Sequence, residues 1–79
     1  TFCISEPIDG EPASAGNGST IGFNIEDETQ GDKWHAAGLE AGGVSIEDVP
    51  GVREFEGMKM YLAYLRDPSG NKLCAIKQL

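Results

Sequence analysis

Few side chains of this chain are of the types that do chemistry, and they lie far apart in the sequence. There is one histidine, His35, and there are two cysteines, Cys3 and Cys74. No histidine is placed to activate Cys74 as a nucleophile, and both cysteines lie inside apolar, strand-like runs. We therefore expect two buried free thiols rather than a disulfide, which is typical of a cytoplasmic protein. Tyr64 is interpreted as a half-buried strand residue rather than a catalytic acid.

The charge of the chain excludes two classes of partner. Thirteen acidic residues against six basic ones give 79 residues a formal net charge of −7. Such a chain repels phosphate backbones and anionic membranes, so we expect neither a nucleic-acid nor a membrane partner. The longest apolar run, residues 60–65, is too short to cross a bilayer.

The elements that must position these side chains are organised around a C-terminal hairpin. Residues 58–65 and 73–76 are apolar runs, and Asp67-Pro68-Ser69-Gly70 lies between them. Proline fixes φ for the second position of a type I turn, and Gly70 can adopt the positive φ that reverses the chain. Asp67 is therefore interpreted as a turn former and not as a catalytic carboxylate.

Upstream of the hairpin, the sequence predicts a strand, a linker and a second strand. Residues 1–5 are β-prone, whereas residues 6–18 are rich in proline, glycine and small residues. Residues 19–25 alternate, which is typical of a strand with two different faces. Ile21, Phe23 and Ile25 lie on its apolar face, and Thr20, Gly22 and Asn24 lie on its small, polar face.

A helix and a short strand complete the predicted elements. The helix is predicted over residues 30–41, where Gly31 and Gly38 indicate a close approach to the sheet. A strand is predicted over residues 44–49 and a loop over residues 52–57. The order from residue 19 is β-α-β-β-β, an α+β class with a mixed sheet whose single helix covers only one face.

Three segments carry a resemblance to a known family. Residues 61–73 resemble a "YxxDPxGNxxE" hairpin, residues 34–43 a helix-to-glycine segment, and residues 6–18 a linker. In this order they resemble the vicinal oxygen chelate superfamily of glyoxalase, bleomycin-resistance and extradiol-dioxygenase proteins. The resemblance implies that residues 19–79 form one βαβββ module, and that residues 1–5 are the last strand of a preceding module. A second module, or a second chain in a homodimer, would complete the cleft.

The resemblance also implies where a metal would bind. The family takes one ligand from the first strand and a carboxylate from the last strand of a module. Those positions correspond to Thr20 and Cys74, so neither is the expected histidine or glutamate. His35 is predicted on the helix, on the other side of the sheet. We therefore expect no cofactor, unless a divalent metal has its ligands elsewhere.

The cleft-lining positions implied by the resemblance give the functional prediction. They are Thr20, Gly22, Asn24, Leu62, Tyr64, Cys74 and Ile76. A mostly apolar wall with a few polar groups suits a small organic ligand. We predict a glyoxalase-like, metal-independent small-molecule-binding protein with a resistance-type sequestering role and no catalytic residue.

Two alternatives remain open. One is a metal-dependent lyase or dioxygenase whose ligands come from a missing N-terminal half. The other is a half-module that self-associates without a ligand. The expected partners are therefore a small organic ligand and either a second copy of the chain or the N-terminal half.

Overall fold

The computed structural model describes residues 1–79 and contains one helix and five strands. In chain order these are β1 (Ile21–Asn24), α1 (Glu28–Glu40), β2 (Val44–Ser45), β3 (Gly51–Phe55), β4 (Met58–Arg66) and β5 (Lys72–Gln78). The strands form one mixed sheet in which β1 is parallel to β5 and all other pairs are antiparallel. β2 and β3 pair with successive parts of the same edge of β4. The predicted α+β architecture is confirmed. The helix α1 lacks the length and apolar character needed to span a membrane.

The ends of α1 follow from local sequence. The Asp27 carboxylate caps the N-terminus by accepting a hydrogen bond from the third backbone N–H after it, at 2.7 Å. At the C-terminus, Gly43 N–H donates to Gly38 O at 2.8 Å and Gly42 N–H to Leu39 O at 3.1 Å. Gly42 has φ of +100°, so these bonds form a Schellman motif that ends the helix.

The two helical glycines allow α1 to lie close to the sheet. A Cβ at Gly31 would lie 2.6 Å from Cζ of Tyr61, and one at Gly38 would overlap Cδ2 of Leu65. The close approach predicted at these glycines is therefore confirmed. The core between α1 and the sheet consists of Ile25, Tyr61, Ala63 and Ala75, with Trp34 packed against it.

The β4–β5 turn is organised by Asp67. Its carboxylate accepts hydrogen bonds from Ser69 N–H at 3.0 Å, Asn71 N–H at 2.8 Å and Asn71 Nδ2 at 2.9 Å. The side-chain bond from Asn71, followed by the backbone bonds, holds the pKa of Asp67 below its usual value. Gly70 has φ of +91°, and Arg66 donates to its carbonyl at 2.7 Å. Asp67 is thus a turn former, as predicted.

Three sequence predictions need correction. Residues 1–5 have no strand structure, because no strand within the chain pairs with them; their place in a preceding module stays a prediction. The strand predicted over 44–49 ends at Ser45, since Glu47 adopts a positive φ of 58°. The loop predicted over 52–57 is wrong, because most of it belongs to β3.

The strand β3 was missed because its turn has an unusual sequence. Glu56 and Gly57 both have positive φ, of 49° and 79°, which fits the two-residue hairpin between β3 and β4. Asn-Gly or Asp-Gly would have indicated this hairpin, whereas Glu-Gly is a weak signal. The alternation of Val52 and Glu54 around Arg53 was the remaining evidence for a strand.

Candidate functional site

One face of the sheet is covered by α1, and the other, here called the open face, is not. Tyr61 and Leu65 of β4 pack against the helix at Gly31 and Gly38, so the alternate residues of β4 point away from it. Strand register extends this alternation across the sheet. The open face therefore comprises the even-numbered residues of β1, β4 and β5, the odd-numbered residues of β3, and Val44 of β2.

Six of the seven predicted cleft residues lie together on the open face. Register aligns them in two rows across three strands, Gly22–Cys74–Tyr64 and Asn24–Ile76–Leu62. Thr20 immediately precedes β1 and continues the same alternation. The sequence thus predicted which residues share this face, and their role in ligand binding stays a prediction.

The centre of the open face is tightly packed. A Cβ at Gly22 would lie 3.4 Å from Sγ of Cys74 and 3.6 Å from Cγ2 of Ile76, so the glycine makes room for both side chains. Leu62 and Cys74 are only 8% and 5% exposed although no helix covers them. Side chains of the same face therefore shield this floor from water.

The state of the two cysteines follows from their burial. Both are free; Cys74 is buried, as predicted, but Cys3 is exposed, which corrects the prediction. Burial raises the pKa of the Cys74 thiol, so the thiol is neutral at pH 7. Cys74 is thus a small buried side chain on the floor of the face and lacks the thiolate of a nucleophile.

Two cations on the open face were not among the predicted site residues. The Arg53 guanidinium lies over Gly51, where a Cβ would be 3.4 Å from its Nη1, and its Nη2 donates to Val49 O at 2.8 Å. Lys72 Nζ lies 4.8 Å from the ring centroid of Tyr64. Arg53 was missed because its strand was interpreted as a loop, and Lys72 because it was interpreted as part of the turn motif.

The positive charges of both cations act on the hydroxyl of Tyr64. Burial raises the pKa of its hydroxyl, and the positive charges of Lys72 and Arg53 act in the opposite direction. Lys72 Nζ also forms an ion pair with Glu47 Oε1 at 2.6 Å, at the margin of the face. Tyr64 therefore provides a neutral phenol with a cation on each neighbouring strand.

His35 lies on the opposite side of the sheet. It is 8% exposed, and its Nε2 is 3.1 Å from Oγ of Ser45 in β2. Its predicted position on the helix is confirmed, and it is buried there. His35 therefore ties α1 to the sheet edge and cannot reach a ligand on the open face.

The residues at the family's metal-ligand positions do not fit a divalent metal. Thr20 offers a neutral hydroxyl, and Cys74 offers a buried, neutral thiol. No three His, Cys, Asp or Glu side chains are grouped closely enough to hold a metal ion. The described residues therefore do not build the site that the resemblance implies.

The concave depressions of the chain lie away from the open face. An apolar one of about 310 Å³ lies on the helix side, between Trp34, Leu65 and Pro68. The other two are lined mainly by residues 2–14. In this chain alone, the open face thus has no enclosed pocket, and its role as one wall of a cleft stays a prediction.

Comparison with known proteins decides the family. No family model matches the chain, and no curated protein matches it. A glyoxalase/bleomycin resistance protein from Albidiferax ferrireducens T118 matches 89% of the chain with 54% identity and a TM-score of 0.85. The chain belongs to the vicinal oxygen chelate superfamily. It spans 56% of the length of that protein.

A second solved structure supports the fold of this vicinal oxygen chelate module. A hypothetical protein from S. aureus matches 77% of the chain with 20% identity and a TM-score of 0.60, over 50% of its own length. At this identity the likeness concerns the fold alone. The predicted superfamily and the predicted glyoxalase/bleomycin-resistance fold are both confirmed.

Proposed function

We propose that this chain is a glyoxalase-like module that binds a small organic ligand on its open face, without a metal site of its own. The observation that carries the proposal is the composition of that face. Leu62, Ile76 and Cys74 form an apolar floor, and Asn24 and Tyr64 add an amide and a phenol beside it. Such a surface provides contact area for an apolar body and a few groups that fix its orientation.

A second module is proposed to form the opposite wall of the cleft. Phe55 and Met58, which are cross-strand neighbours on the open face, are 64% and 45% exposed. The outer edge of β1 pairs with no other strand. Exposed apolar side chains and a free strand edge both favour association, here with a second copy of the chain or with a preceding module.

Sequestration is the role that fits a binding site without catalytic groups. The thiol of Cys74 is neutral, the phenol of Tyr64 is neutral, and His35 is on the other side of the sheet. The similar protein from Albidiferax ferrireducens is described as a glyoxalase/bleomycin resistance protein. A resistance-type protein removes a toxic compound by holding it, which requires affinity and no reaction.

The proposal is tested by a thermal-shift screen of the purified chain against small aromatic and apolar compounds. A ligand that binds only the folded chain raises the melting temperature by an amount that grows with the logarithm of its concentration relative to its dissociation constant. Compounds that stabilise the chain are then followed by ¹⁵N–¹H NMR, where we expect shifts at Gly22 and Cys74 and none in α1. A complete absence of stabilising compounds, or shifts confined to α1, would overturn the proposal.

A matched pair of variants locates the ligand. Tyr64→Phe removes the phenol from the open face, and Tyr61→Phe removes one from the opposite face of the same strand. We expect Tyr64→Phe to weaken binding several-fold, because a lost hydrogen bond costs about 1 kcal/mol. Tyr61→Phe should lower the melting temperature of the free protein but leave the ligand-induced shift unchanged.

Two further measurements decide between this proposal and the alternatives. Metal analysis after mild purification tests for a metal-dependent lyase or dioxygenase, because stoichiometric nickel, zinc, manganese or iron would contradict metal independence. Native mass spectrometry tests for self-association without a ligand, because a strict 8.4 kDa monomer would exclude it.

A further inference from the structure

Half of the basic residues of this acidic chain lie on its open face. Thirteen acidic and six basic residues give the net charge of −7, yet three of the six, Arg53, Arg66 and Lys72, occupy open-face strand positions. No Asp or Glu occupies a strand position on that face. One carboxylate, that of Glu47, reaches it from the loop between β2 and β3.

Two of these cations have donors to spare beside the apolar floor. Arg66 is engaged by the turn, where it donates to Gly70 O. Arg53 donates one N–H to Val49 O, and a guanidinium has five N–H donors, so it retains the pair needed for a carboxylate. Because Gly51 has no side chain, the Arg53 guanidinium can lie close to its backbone, with Nη1 3.4 Å from where a Cβ would be.

The partner of Lys72 is one that a ligand could replace. The Lys72–Glu47 pair is partly exposed, with side-chain exposures of 24% and 47%. Exposed ion pairs contribute little to stability. A ligand carboxylate could therefore take the place of Glu47 beside Lys72 at low cost.

We infer that the ligand of the open face is an aromatic or other apolar molecule that carries an anionic group, with a carboxylate as the group of best fit. Its apolar body lies on Leu62 and Ile76, and its carboxylate accepts a hydrogen bond from Lys72 beside Tyr64 and is attracted by the charge of Arg53 on β3. This inference rests on the proposed function and adds the chemical class of the ligand.

The test compares 2-naphthoate with 2-naphthamide, which have the same shape but differ in charge. Binding of each to the ¹⁵N-labelled chain is measured by NMR titration, which also reports whether each variant is folded. We expect 2-naphthoate to bind the open face about tenfold more tightly than the amide, as charge-assisted hydrogen bonds require. Raising the salt concentration should weaken only 2-naphthoate.

Variants with matched controls assign the effect to individual charges. Arg53→Gln and Lys72→Gln should each weaken 2-naphthoate about three- to tenfold and leave 2-naphthamide unchanged. Arg53→Lys and Lys72→Arg should restore most of the loss. Lys77→Gln is the control, because Lys77 is on β5 but faces away from the open face.

Glu47→Gln provides a test by gain of affinity. Removing the competing carboxylate should make 2-naphthoate bind about two- to fivefold more tightly. Glu54→Gln removes the same charge from a β3 position on the opposite face and should have a much smaller effect. A purely structural role of the Lys72–Glu47 pair would not produce a gain.

The outcomes separate this inference from the proposed function. If both compounds bind the open face equally, or if Lys77→Gln weakens 2-naphthoate as much as Lys72→Gln, the anionic class is wrong and the binding function stands. If neither compound binds that face, both the anionic class and the proposed binding of aromatic ligands are wrong.

Discussion

Replacing a glycine of α1 by alanine has two opposing effects on stability. Helix propensity favours the alanine, whereas close packing of the helix against the sheet opposes it. By helix propensity alone, Gly31→Ala and Gly38→Ala should each stabilise the protein by about 1 kcal/mol. At Gly31 the structure opposes this gain. The new Cβ would lie 2.6 Å from Cζ of Tyr61 and 2.7 Å from Cδ1 of Ile25.

Tyr61 cannot move easily out of the way of that Cβ. Its side chain is 2% exposed, and its hydroxyl donates to Asp32 Oδ1 at 2.7 Å. Overpacking costs about 1–3 kcal/mol, and weakening the hydrogen bond costs up to about 1 kcal/mol. After the propensity gain of about 1 kcal/mol, we expect Gly31→Ala to destabilise the chain by about 2 kcal/mol.

At Gly38 the same substitution meets a softer neighbour. Only Cδ2 of Leu65 would be overlapped, since Cγ and Cδ1 are 3.6 and 3.7 Å from the added Cβ. Rotation of the leucine side chain can relieve this overlap for roughly the energy that the helix gains. We therefore expect Gly38→Ala to change the free energy of unfolding by less than about 1 kcal/mol.

The assay is urea and thermal unfolding, followed by far-ultraviolet circular dichroism and by the fluorescence of Trp34. A loss of about 2 kcal/mol corresponds to a melting temperature lower by about 10 °C or more for a domain of this size. Ala36→Gly, at an exposed helix position, calibrates the propensity term and should cost about 1 kcal/mol. If Gly31→Ala stabilises the protein, or behaves like Gly38→Ala, close packing does not explain the glycine.

Three other predictions concern the turn, the thiols and the helix end. Because hydrogen bonds from Asn71 lower the pKa of Asp67, the stabilisation by this carboxylate is complete above its unfolded pKa of about 4. It is lost as the pH falls through the folded pKa, and Asp67→Asn should remove this dependence in urea titrations between pH 2 and pH 6. The exposed thiol of Cys3 should react with Ellman's reagent within seconds, whereas the buried thiol of Cys74 should react at least about tenfold more slowly until urea is added. Cys3→Ser should abolish the fast phase of this reaction. If a second thiol reacts equally fast, Cys74 is not buried. Gly42→Ala should lower the free energy of unfolding by about 1 kcal/mol, because φ of +100° is strained for alanine, and an unchanged melting temperature would argue against the Schellman cap.

Much of the fold could be predicted because its signals are local. The DPSG turn at 67–70 contains its own hydrogen-bond acceptor and its own glycine, so four residues predict the reversal. Strict alternation in residues 20–25 predicts which side chains of β1 share a face. Gly31 and Gly38, spaced by seven residues, predict a helix face that lies close to a sheet.

The rest depends on pairing between distant residues. β3 is a strand because it pairs with β4 through the Glu56-Gly57 turn, and its own composition is only weakly β-like. The exposure of Cys3 and the burial of Cys74 depend on what each segment packs against, although both are flanked by apolar residues. Sequence patterns describe a strand's own faces but not its neighbours.

The candidate site shows the same division. The sequence by itself determined the two faces of β1, because side-chain alternation is a property of each strand alone, and its resemblance to the superfamily predicted that Gly22, Tyr64 and Cys74 share one side of the sheet. Only the tertiary structure placed Arg53 and Lys72 on the same face as Tyr64, since they come from β3 and β5, whose register against β4 is set by non-local hydrogen bonds. The direction of a long, charged side chain depends on the space around it, and that space exists only once the strands have paired.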